Sequence, residues 1–293
     1  MGIYDSIVIT GGGGMLANAL NDLLTTRGHQ TALLKRAETD IAKPEHIKAI
    51  FDRKPSLLLN CAAHTKVDLC EQEPELANTI NGYAVGQMAE LSRQHGTVLV
   101  HVSTDFVFDG KGTRPYLVNE PTIPISAYGK SKLLGEIELQ KNAPARWLIV
   151  RTAWVYGRHG MNFPRTMVTA AKAGKPLNVV GDQVGSPTYT VDLAEGILAL
   201  LDAGANGIHH FTNGGQTNWC DFARETLKVF GIDHPVGAIT SLDWAKIKPN
   251  SAPRPSYSVL DLSEYEKATG RKPRAWQDAL VAFRNEVEAA GSF

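Results

Sequence analysis

The stretch Thr10-Gly11-Gly12-Gly13-Gly14-Met15-Leu16-Ala17 decides the fold. It follows a short apolar run and opens a segment of helical period, so Gly11, Gly14 and Ala17 fit the spacing GxxGxxA of a strand-turn-helix unit. The first glycine would make the tight turn, the second would let the backbone approach a pyrophosphate, and the alanine would pack helix on strand. The helix N-terminus would supply amide donors to the phosphates. We interpret the stretch as a dinucleotide-binding turn, with a merely flexible turn as the alternative.

Apolar runs rich in β-branched residues alternate with segments of helical period along the chain. The predicted strands are 6–10, 29–34, 57–62, 98–103, 148–152 and 207–212. The predicted helices are 15–27, 44–53, 74–95, 127–140, 163–173, 192–202 and 219–230. This alternation predicts an α/β fold with a Rossmann-like, doubly wound parallel sheet.

Glycine, proline and asparagine become frequent after Trp154, which indicates a second, looser unit. We expect residues 1–155, with a contribution from about 181–213, to form an NAD(P)-binding domain. Residues 156–180 and 214–293 would form a smaller C-terminal lobe over the ligand edge of the sheet, where it would bind substrate. The segment 249–258, PNSAPRPSYS, predicts an ordered loop or a lid.

The composition excludes several classes of function. Thirty basic residues balance thirty acidic ones over 293 residues, so the chain lacks the charge excess that attracts nucleic acid or an acidic membrane surface. The first residues resemble neither a secretory signal nor a spanning helix. Three cysteines leave an odd thiol under any disulfide pairing, which fits a reducing compartment. We expect a cytoplasmic protein without nucleic-acid or membrane partners.

The end of the second predicted strand bears on the choice of cofactor. A site that prefers NAD usually offers an acidic residue there, but this chain has Lys35 and Arg36. Basic side chains suit the 2′-phosphate of NADPH, which is the predicted cofactor, with NADH left possible and solvated loop charges as the alternative reading. Asp40 and Ile41, a little further on, would lie over the adenine, with the carboxylate accepting from its exocyclic amine.

The catalytic pattern combines Thr104, at the end of the fourth predicted strand, with Tyr128 and Lys132 at the start of the next helix. A spacing of four puts tyrosine and lysine on one helical face. An ammonium beside the phenol, with an oxidised nicotinamide nearby, would favour the phenolate and lower the pKa of Tyr128. Lys132 would also hold the nicotinamide ribose, and Thr104 would bond the reacting oxygen of the substrate. The three residues together with the glycine turn predict a reductase.

These residues carry a resemblance that runs through nearly the whole chain. The stretches TGGGGMLA, TDIAKP, LLNCAAHTKVDLCEQEPELA, VHVSTDFVFDG, YGKSKLLGE, RTAWVYG, NFPRTM, GDQVGSPTYT and SAPRPSYSVLD resemble the extended short-chain dehydrogenase/reductases and, among them, the dTDP-4-dehydrorhamnose reductase family. The segments STDFVFDG and DQVGSPT are distinctive of that family, whereas the glycine turn and YxxxK are shared across the superfamily.

The resemblance implies reduction of the 4-keto group of dTDP-4-dehydro-6-deoxy-L-mannose (the L-lyxo-hexulose) to dTDP-L-rhamnose, with a hydride from NADPH and a proton from Tyr128. The matching cofactor positions are Gly11, Gly14, Met15, Leu16, Asp40, Ile41, Ala62, Ala63, Thr65 and Lys132. The matching sugar-nucleotide positions are Val67, Thr104, Asp105, Tyr128, Trp154, Asn162 and Pro187, with Arg254 as a candidate partner of the diphosphate. A guanidinium fork suits phosphate oxygens, although a surface arginine in a proline-rich loop is the alternative.

The chain departs from the family pattern at a few positions. Phe106 stands where a tyrosine is frequent, and Met15-Leu16 stand where a Gln-Val pair is frequent. Some members form a magnesium-bridged dimer through acidic residues, and no convincing set matches here, so magnesium and the choice between monomer and homodimer stay open. His209 and His210 are neighbours in a predicted strand and would face opposite sides, so no metal site is predicted.

Two rival readings share the fold. A sugar-nucleotide dehydratase or epimerase would have the same glycine turn and YxxxK, although dehydratases usually carry a glutamate where Phe106 stands, and a phenyl ring is no acid. A non-catalytic nucleotide-binding subunit, like the regulatory subunit of methionine adenosyltransferase, belongs to the same branch. The complete set of Thr104, Tyr128 and Lys132 favours the reductase.

Overall fold

The computed structural model describes residues 4–291, so the outer ends of the predicted ranges 1–155 and 214–293 lie outside it. The helices are α1 (Met15–Thr26), α2 (Pro44–Phe51), α3 (Val67–Gln72), α4 (Pro74–Asn78), α5 (Ala84–His95), α6 (Ala127–Lys141), α7 (Phe163–Lys172), α8 (Thr190–Asp202), α9 (Trp219–Val229), α10 (Ser241–Ile247), α11 (Ser263–Thr269) and α12 (Trp276–Ala289). The strands are β1 (Ile7–Thr10), β2 (Thr31–Leu34), β3 (Leu57–Asn60), β4 (Val98–Thr104), β5 (Trp147–Thr152), β6 (Val155–Tyr156), β7 (Leu177–Val180), β8 (Val184–Gly185), β9 (Thr188–Tyr189), β10 (Gly207–His210), β11 (Thr217–Asn218) and β12 (Val236–Ile239).

Six strands form a parallel sheet in the order β10-β5-β4-β3-β1-β2. Helices cover both faces of the sheet. Successive residues of a strand point to opposite faces, so each strand contributes side chains to both layers. Ile7 and Ile9 pack in the layer with α1 and α8, whereas Val8 packs in the layer with α2 and α5. Each such fully buried side chain contributes about 1.5–3 kcal/mol. The predicted Rossmann-like doubly wound sheet is confirmed.

The order in which strands are added to the sheet reverses at β1, since β2 lies on one side of it and β3 on the other. In open α/β sheets the crevice beyond the carboxyl ends of the strands at such a switch point binds ligands. The glycine turn follows β1, and Cys61 and Ala62 follow β3, so both segments lie at this crevice. The fold therefore places the predicted cofactor residues at the expected edge.

The second part of the molecule is built around aromatic side chains and short strand pairs. The pairs are β6 with β9, β7 with β12 and β8 with β11. Tyr156, Phe222, Trp276 and Phe283 form its core, with the Phe222 and Trp276 rings edge-to-face at 5.8 Å. The segment from α8 to β10 returns to the large sheet, where α8 packs on α1 and β10 pairs with β5. The proposed domain division at residue 155 stays a prediction.

One predicted helix, 74–95, is divided in the structure. A π-helical turn at Thr79–Tyr83 separates α4 from α5, and such turns are frequent at functional sites. Asn81 lies in this turn, where its amide oxygen accepts from the His64 N–H at 2.8 Å and its amide nitrogen donates to the His64 carbonyl at 3.0 Å and the Ser131 hydroxyl at 2.9 Å. These contacts fix the loop after β3 against α6.

The predicted loop at 249–258 is irregular in the structure, apart from a single bridge between Tyr257 and Val184. Several elements had no counterpart in the sequence prediction: the helices α3, α10, α11 and α12, the strands β7 and β12, and the two-residue strands. Over residues 4–291, no helix has the length and apolar character needed to cross a membrane.

Candidate active site

The glycine turn is shaped by close backbone contacts. Gly11 has a φ of +78°, and a Cβ there would lie 2.9 Å from the backbone nitrogen of Ala62. A side chain is therefore excluded both by the left-handed conformation and by the approach of the neighbouring loop. The Gly14 N–H donates to the Gly11 carbonyl at 2.8 Å, which closes the turn. The tight turn predicted for the first glycine thus has a structural reason in this chain, and the approach of Gly14 to a pyrophosphate stays a prediction.

Helix α1 presents a free N-terminus to the crevice. Gly14 is its N-cap, its first turn carries no acidic residue, and among the described side chains none caps it. Unpaired N–H groups and the positive end of the helix dipole together form a site for an anion. A dinucleotide pyrophosphate fits these donors.

A cavity of about 590 Å³ opens in front of this helix end, and we call it the dinucleotide cavity. It gathers most of the predicted cofactor residues: Gly11, Gly14, Lys35, Arg36, Asp40, Ile41, Ala62, Ala63 and Thr65. Lys35 and Arg36 are exposed at its rim, whereas Ile41 is buried in its wall. One Asp40 carboxylate oxygen accepts from the Ala42 N–H at 3.1 Å, so its second oxygen is the one available to a ligand.

A second cavity of about 490 Å³ continues from the first, and we call it the catalytic cavity. The two share Gly14, Cys61, Ala63 and Thr65 in their walls. The catalytic cavity brings together Met15, Leu16, Val67, Thr104, Asp105, Tyr128, Lys132, Trp154 and Arg254, as well as Phe106. Residues far apart in sequence therefore meet at one point, at the carboxyl edge of β4.

Two predicted substrate residues lie outside the linings of these cavities. Asn162 is the N-cap of α7, where it accepts from the Arg165 N–H at 3.2 Å and donates to the Gly157 carbonyl at 2.7 Å. Pro187 is buried between β8 and β9. Both hold the backbone near the cavity rather than lining it, and their assignment to the sugar nucleotide stays a prediction.

The threonine at the end of β4 is fixed by its neighbours. Its hydroxyl donates to Asp105 Oδ1 at 3.0 Å and accepts from the Phe106 N–H at 3.2 Å. Asp105 is only 2% exposed, and this burial raises the pKa of its carboxyl to about 6, against the lowering effect of the hydrogen bonds from Ser258 and Thr104. A carboxyl group that titrates near neutral pH therefore lies beside the reacting centre.

A buried ion pair supports the end of β4 from below. Glu136 of α6 and Arg151 of β5 are joined by bonds of 2.7 and 2.9 Å, and both side chains are almost fully buried. The Ser103 hydroxyl donates to the same carboxylate at 2.5 Å. The strand end that carries Thr104 is thus connected to the helix that carries Tyr128 and Lys132.

Helix α6 positions the tyrosine in the cavity. The Ser126 hydroxyl caps it by accepting from the Gly129 N–H at 3.1 Å. A Cβ on Gly129 would lie 2.2 Å from the Phe106 carbonyl oxygen, so the helix start requires glycine to approach the loop after β4. The Tyr128 ring packs edge-to-face on Phe106, with ring centroids 5.5 Å apart. The tyrosine and threonine therefore face the same space.

The expectation that Lys132 lowers the pKa of Tyr128 is corrected by the structure. Burial raises the pKa of Tyr128 above its ordinary value of 10, with smaller effects from Thr104, Asp105 and Cys70. The Lys132 Nζ instead donates to the Val102 carbonyl at 2.7 Å and lies 3.1 Å from His101 Nε2. Burial also lowers the pKa of Lys132 to about 8, partly offset by Glu136. At neutral pH the phenol is protonated, as a proton donor must be.

A third cavity, of about 320 Å³, was not predicted from the sequence. We call it the aromatic cavity, because Trp154, Trp219, Trp244, Phe163 and Phe106 line it together with Arg254 and the polar Asn178 and Gln183. The Trp154 and Trp219 rings stack at 3.6 Å. The signal in the sequence was a set of tryptophans in polar, loop-rich segments, of which only Trp154 was singled out.

The backbone at Trp154 is held in a rare conformation, with a φ of +48°. A non-glycine residue there costs free energy and persists where its surroundings fix it. A Cβ on Gly185 would lie 2.5 Å from the Trp154 ring, and the Trp154 carbonyl accepts from the Thr188 N–H at 3.1 Å. The small glycine of the DQVGSPT segment therefore makes room for the indole.

Arg254 lies where the catalytic and aromatic cavities meet. Its guanidinium donates to Asp68 Oδ1 at 2.9 Å and to the Ala252 carbonyl at 3.0 Å. The same Asp68 oxygen accepts from the Ala252 N–H at 3.0 Å, so the loop 249–258 is joined to α3. Within residues 4–291, no group of three or more His, Cys, Asp or Glu side chains is arranged to hold a metal ion.

The parallel sheet, the free helix end and the tyrosine and lysine beside a strand-end threonine define the extended short-chain dehydrogenase/reductase class. Comparisons with known proteins identify the family within it. The family model of the RmlD substrate binding domain matches residues 5–289. The chain belongs to this family, that of the dTDP-4-dehydrorhamnose reductases, and the resemblance noted in the sequence is confirmed.

Three relatives illustrate the similarity. The chain is 40% identical to a dTDP-4-dehydrorhamnose reductase of Streptomyces griseus, over 94% of this chain and 91% of the relative. It is 39% identical to a dTDP-4-keto-6-deoxy-D-glucose reductase of Streptomyces niveus, over 94% of this chain and 96% of the relative. A crystal structure of the Bacillus anthracis dTDP-4-dehydrorhamnose reductase in complex with NADP gives a TM-score of 0.92 at 30% identity, covering 97% of this chain and 100% of that one.

Proposed function

We propose that the protein reduces the 4-keto group of dTDP-4-dehydro-6-deoxy-L-mannose to dTDP-L-rhamnose with NADPH, and that Tyr128 is the proton donor. The observation that carries the proposal is the continuity of the three cavities. The dinucleotide and aromatic cavities each share wall residues with the catalytic cavity, and Thr104, Tyr128 and Lys132 lie between them. A cofactor and a sugar nucleotide entering from opposite ends would meet at these three side chains.

The dinucleotide cavity fits a nicotinamide cofactor. The N–H groups of the glycine turn and α1 would hold the pyrophosphate, and Thr65, Ala62 and Ala63 would line its path to the catalytic cavity. Lys35 and Arg36 at the rim favour the 2′-phosphate of NADPH, although NADH would fit the rest of the cavity. When bound, this cofactor supplies the hydride to the sugar carbon.

The catalytic residues would act on the carbonyl oxygen. The Thr104 hydroxyl would turn its one proton from Asp105 to this oxygen, and the Tyr128 phenol would transfer its proton as negative charge develops there. A positioned general acid of this kind contributes about 10²–10⁴-fold to the rate. With the dinucleotide bound, Lys132 would carry a positive charge at the same cavity and stabilise the resulting phenolate.

The sugar nucleotide would extend from the catalytic cavity into the aromatic cavity. Val67, Asp105 and Trp154 would surround the sugar, and Arg254, at the junction, would bind the diphosphate with its planar donors. The flat walls of Trp154 and Trp219 suit a pyrimidine base. Asn162 and Pro187 would shape this side of the site through the backbone that they hold.

The test follows NADPH absorbance with purified protein and enzymatically prepared dTDP-4-keto-6-deoxyglucose, with and without the epimerase that supplies the L-lyxo form. Stoichiometric oxidation that depends on the epimerase supports the proposal. Oxidation without it supports the second candidate, reduction of the unepimerised sugar, which the name of the Streptomyces niveus relative favours. No oxidation with cofactor binding intact would overturn the reductase reading in favour of a non-catalytic role.

The location and assembly of the protein are part of the same proposal. A cytoplasmic enzyme fits the three cysteines, which are all free thiols in the structure. A monomer and a homodimer both accommodate a site that one chain supplies in full.

A further inference from the structure

Four buried polar side chains form a hydrogen-bonded chain beneath the catalytic cavity. The Thr10 hydroxyl donates to Asn60 Oδ1 at 2.7 Å, the Asn60 amide nitrogen lies 3.0 Å from His101 Nδ1, and His101 Nε2 lies 3.1 Å from Lys132 Nζ. Each of the four residues is at most 1% exposed. Buried polar groups leave few free donors or acceptors, so the protons in this chain have few possible arrangements.

Counting donors from the Thr10 end fixes the direction of the chain. The Thr10 oxygen accepts from the Ala62 N–H at 3.3 Å, and among the described residues the acceptor for its own proton is the Asn60 carbonyl oxygen at 2.7 Å. The Asn60 amide then presents its N–H to His101, which leaves Nδ1 without a proton. A neutral imidazole with a bare Nδ1 carries its proton on Nε2. His101 therefore points an N–H at Lys132.

This arrangement discriminates between the two forms of lysine. An ammonium has three N–H donors and no lone pair, so an N–H that faces it forms no hydrogen bond. The neutral amine has one lone pair that accepts from His101, and it can still donate to the Val102 carbonyl. We propose that the Thr10–Asn60–His101 chain favours the neutral amine of Lys132 in the free enzyme, and that His101 is a positioning residue for the catalytic lysine.

The other groups around Lys132 are compatible with a preference for its neutral amine. Cys61, after β3, is a neutral thiol because burial raises its pKa to about 12. Glu136, on the same helix, favours the ammonium but is paired with Arg151 of β5. Tyr128 and Asp105 share the cavity with Lys132. His101 itself stays neutral, since burial holds its pKa well below the usual value.

The hydrogen-bonded chain ends, at Thr10, on the cofactor side of the site. Thr10 directly precedes Gly11, and Ala62, which donates to it, lines the dinucleotide cavity. An anionic dinucleotide in that cavity would favour the ammonium of Lys132, against the preference set by His101. The role of the chain in catalysis rests on the proposed function, but the proton arrangement itself does not.

The first experiment determines the tautomer of His101 in the full-length wild-type protein without substrate, by NMR with nitrogen-labelled histidine. A substitution of His101 by glutamine identifies its signal among the nine histidines. The expected result is a proton on Nε2 and a bare Nδ1. A proton on Nδ1, or a charged ring at neutral pH, overturns the proposal whether or not the enzyme is a reductase.

The second experiment removes the hydrogen bond at the Thr10 end of this hydrogen-bonded chain. Thr10→Val removes the proton donated to Asn60, so the amide can turn, His101 can accept, and the pKa of Lys132 should rise by about one unit. The pKa is measured by NMR with carbon-labelled lysine and compared with the pH profile of kcat. Thr226→Val is the matched control, because this threonine is equally buried but bonds only within α9, to the Phe222 carbonyl.

Four outcomes are distinguishable. A rise in the Lys132 pKa with Thr10→Val and not with Thr226→Val supports the proposal. An unchanged pKa in a folded Thr10→Val protein overturns it. If Thr10→Val does not fold, the wild-type tautomer decides alone. A protein with the expected tautomer that oxidises no NADPH would contradict the proposed function and leave the proton arrangement standing.

Discussion

The buried ion pair between Glu136 and Arg151 allows a quantitative test of the fold. Glu136→Gln keeps the shape of the side chain but removes its charge, so a guanidinium that is almost fully buried loses its only ionised bonding partner described here. Breaking a buried pair by removing one partner costs about 3–5 kcal/mol. Each kcal/mol shifts the melting temperature of a protein near this size by about 2–4 °C, so we expect a loss of about 6–20 °C.

A control on the same helix separates burial from charge. Glu138→Gln makes the same chemical change in a partly exposed pair with Lys141, at 3.8 Å, and should change stability by less than about 1 kcal/mol. Melting is followed by circular dichroism for both variants. If the two melt within about 2 °C of each other, the reasoning about the buried pair is refuted.

A double variant adds a second check. Replacing both partners with apolar residues, Glu136→Leu with Arg151→Met, leaves no buried charge and should recover much of the loss. A double variant no more stable than Glu136→Gln would show that the Ser103 bond and the packing at the strand end, rather than an uncompensated charge, dominate the effect.

Three further predictions concern the site. Tyr128→Phe should fold and bind NADPH but lose about 10²-fold or more in kcat, because it removes the acid; unchanged turnover would contradict the mechanism. Asp105→Asn should raise the free energy of unfolding at pH 7 by about 1–3 kcal/mol. The pKa of the Asp105 carboxyl is about 6 in the folded protein against 3.8 in the unfolded chain, so the wild type loses stability as the pH rises through this window. Denaturant titrations at pH 4 and 7 should show a smaller difference in the free energy of unfolding for the variant than for the wild type. Gly185→Ala should push the Trp154 ring and raise the KM for the sugar nucleotide about tenfold. The NADPH Kd, measured by fluorescence, should stay the same, and a matching rise there would contradict the placement of Trp154.

The parts of the site that the sequence predicted depend on local spacing. Gly11 and Gly14 belong to one turn, and Tyr128 and Lys132 to one helical face, so a few residues of sequence determine their relation. The position of Thr104 follows from the end of a buried strand. The sheet itself was predictable for the same reason, because each strand reads as an apolar run between helical segments.

The parts that the sequence did not predict depend on long-range contacts. The aromatic cavity joins Trp154, Trp219 and Trp244, which come from three separate elements. The bond between His101 and Lys132 joins a strand to a helix some thirty residues later. The pKa of Tyr128 is raised, against the expectation from its helical spacing to Lys132, because the fold buries the phenol. The helices α11 and α12 also depend on long-range contacts, since α11 packs on α8 and β10 and α12 packs in the aromatic core of the second part of the molecule.

The π-helical turn at Thr79–Tyr83 has a consequence for how this region tolerates changes in length. An α-helix advances about 100° per residue, so deleting one residue from the turn would give a continuous helix but rotate everything after it by that angle. The face that carries Val85, Met88 and Ala89 would leave the sheet. The turn therefore sets the register of α5, and a straighter helix here would be a worse fit to the core.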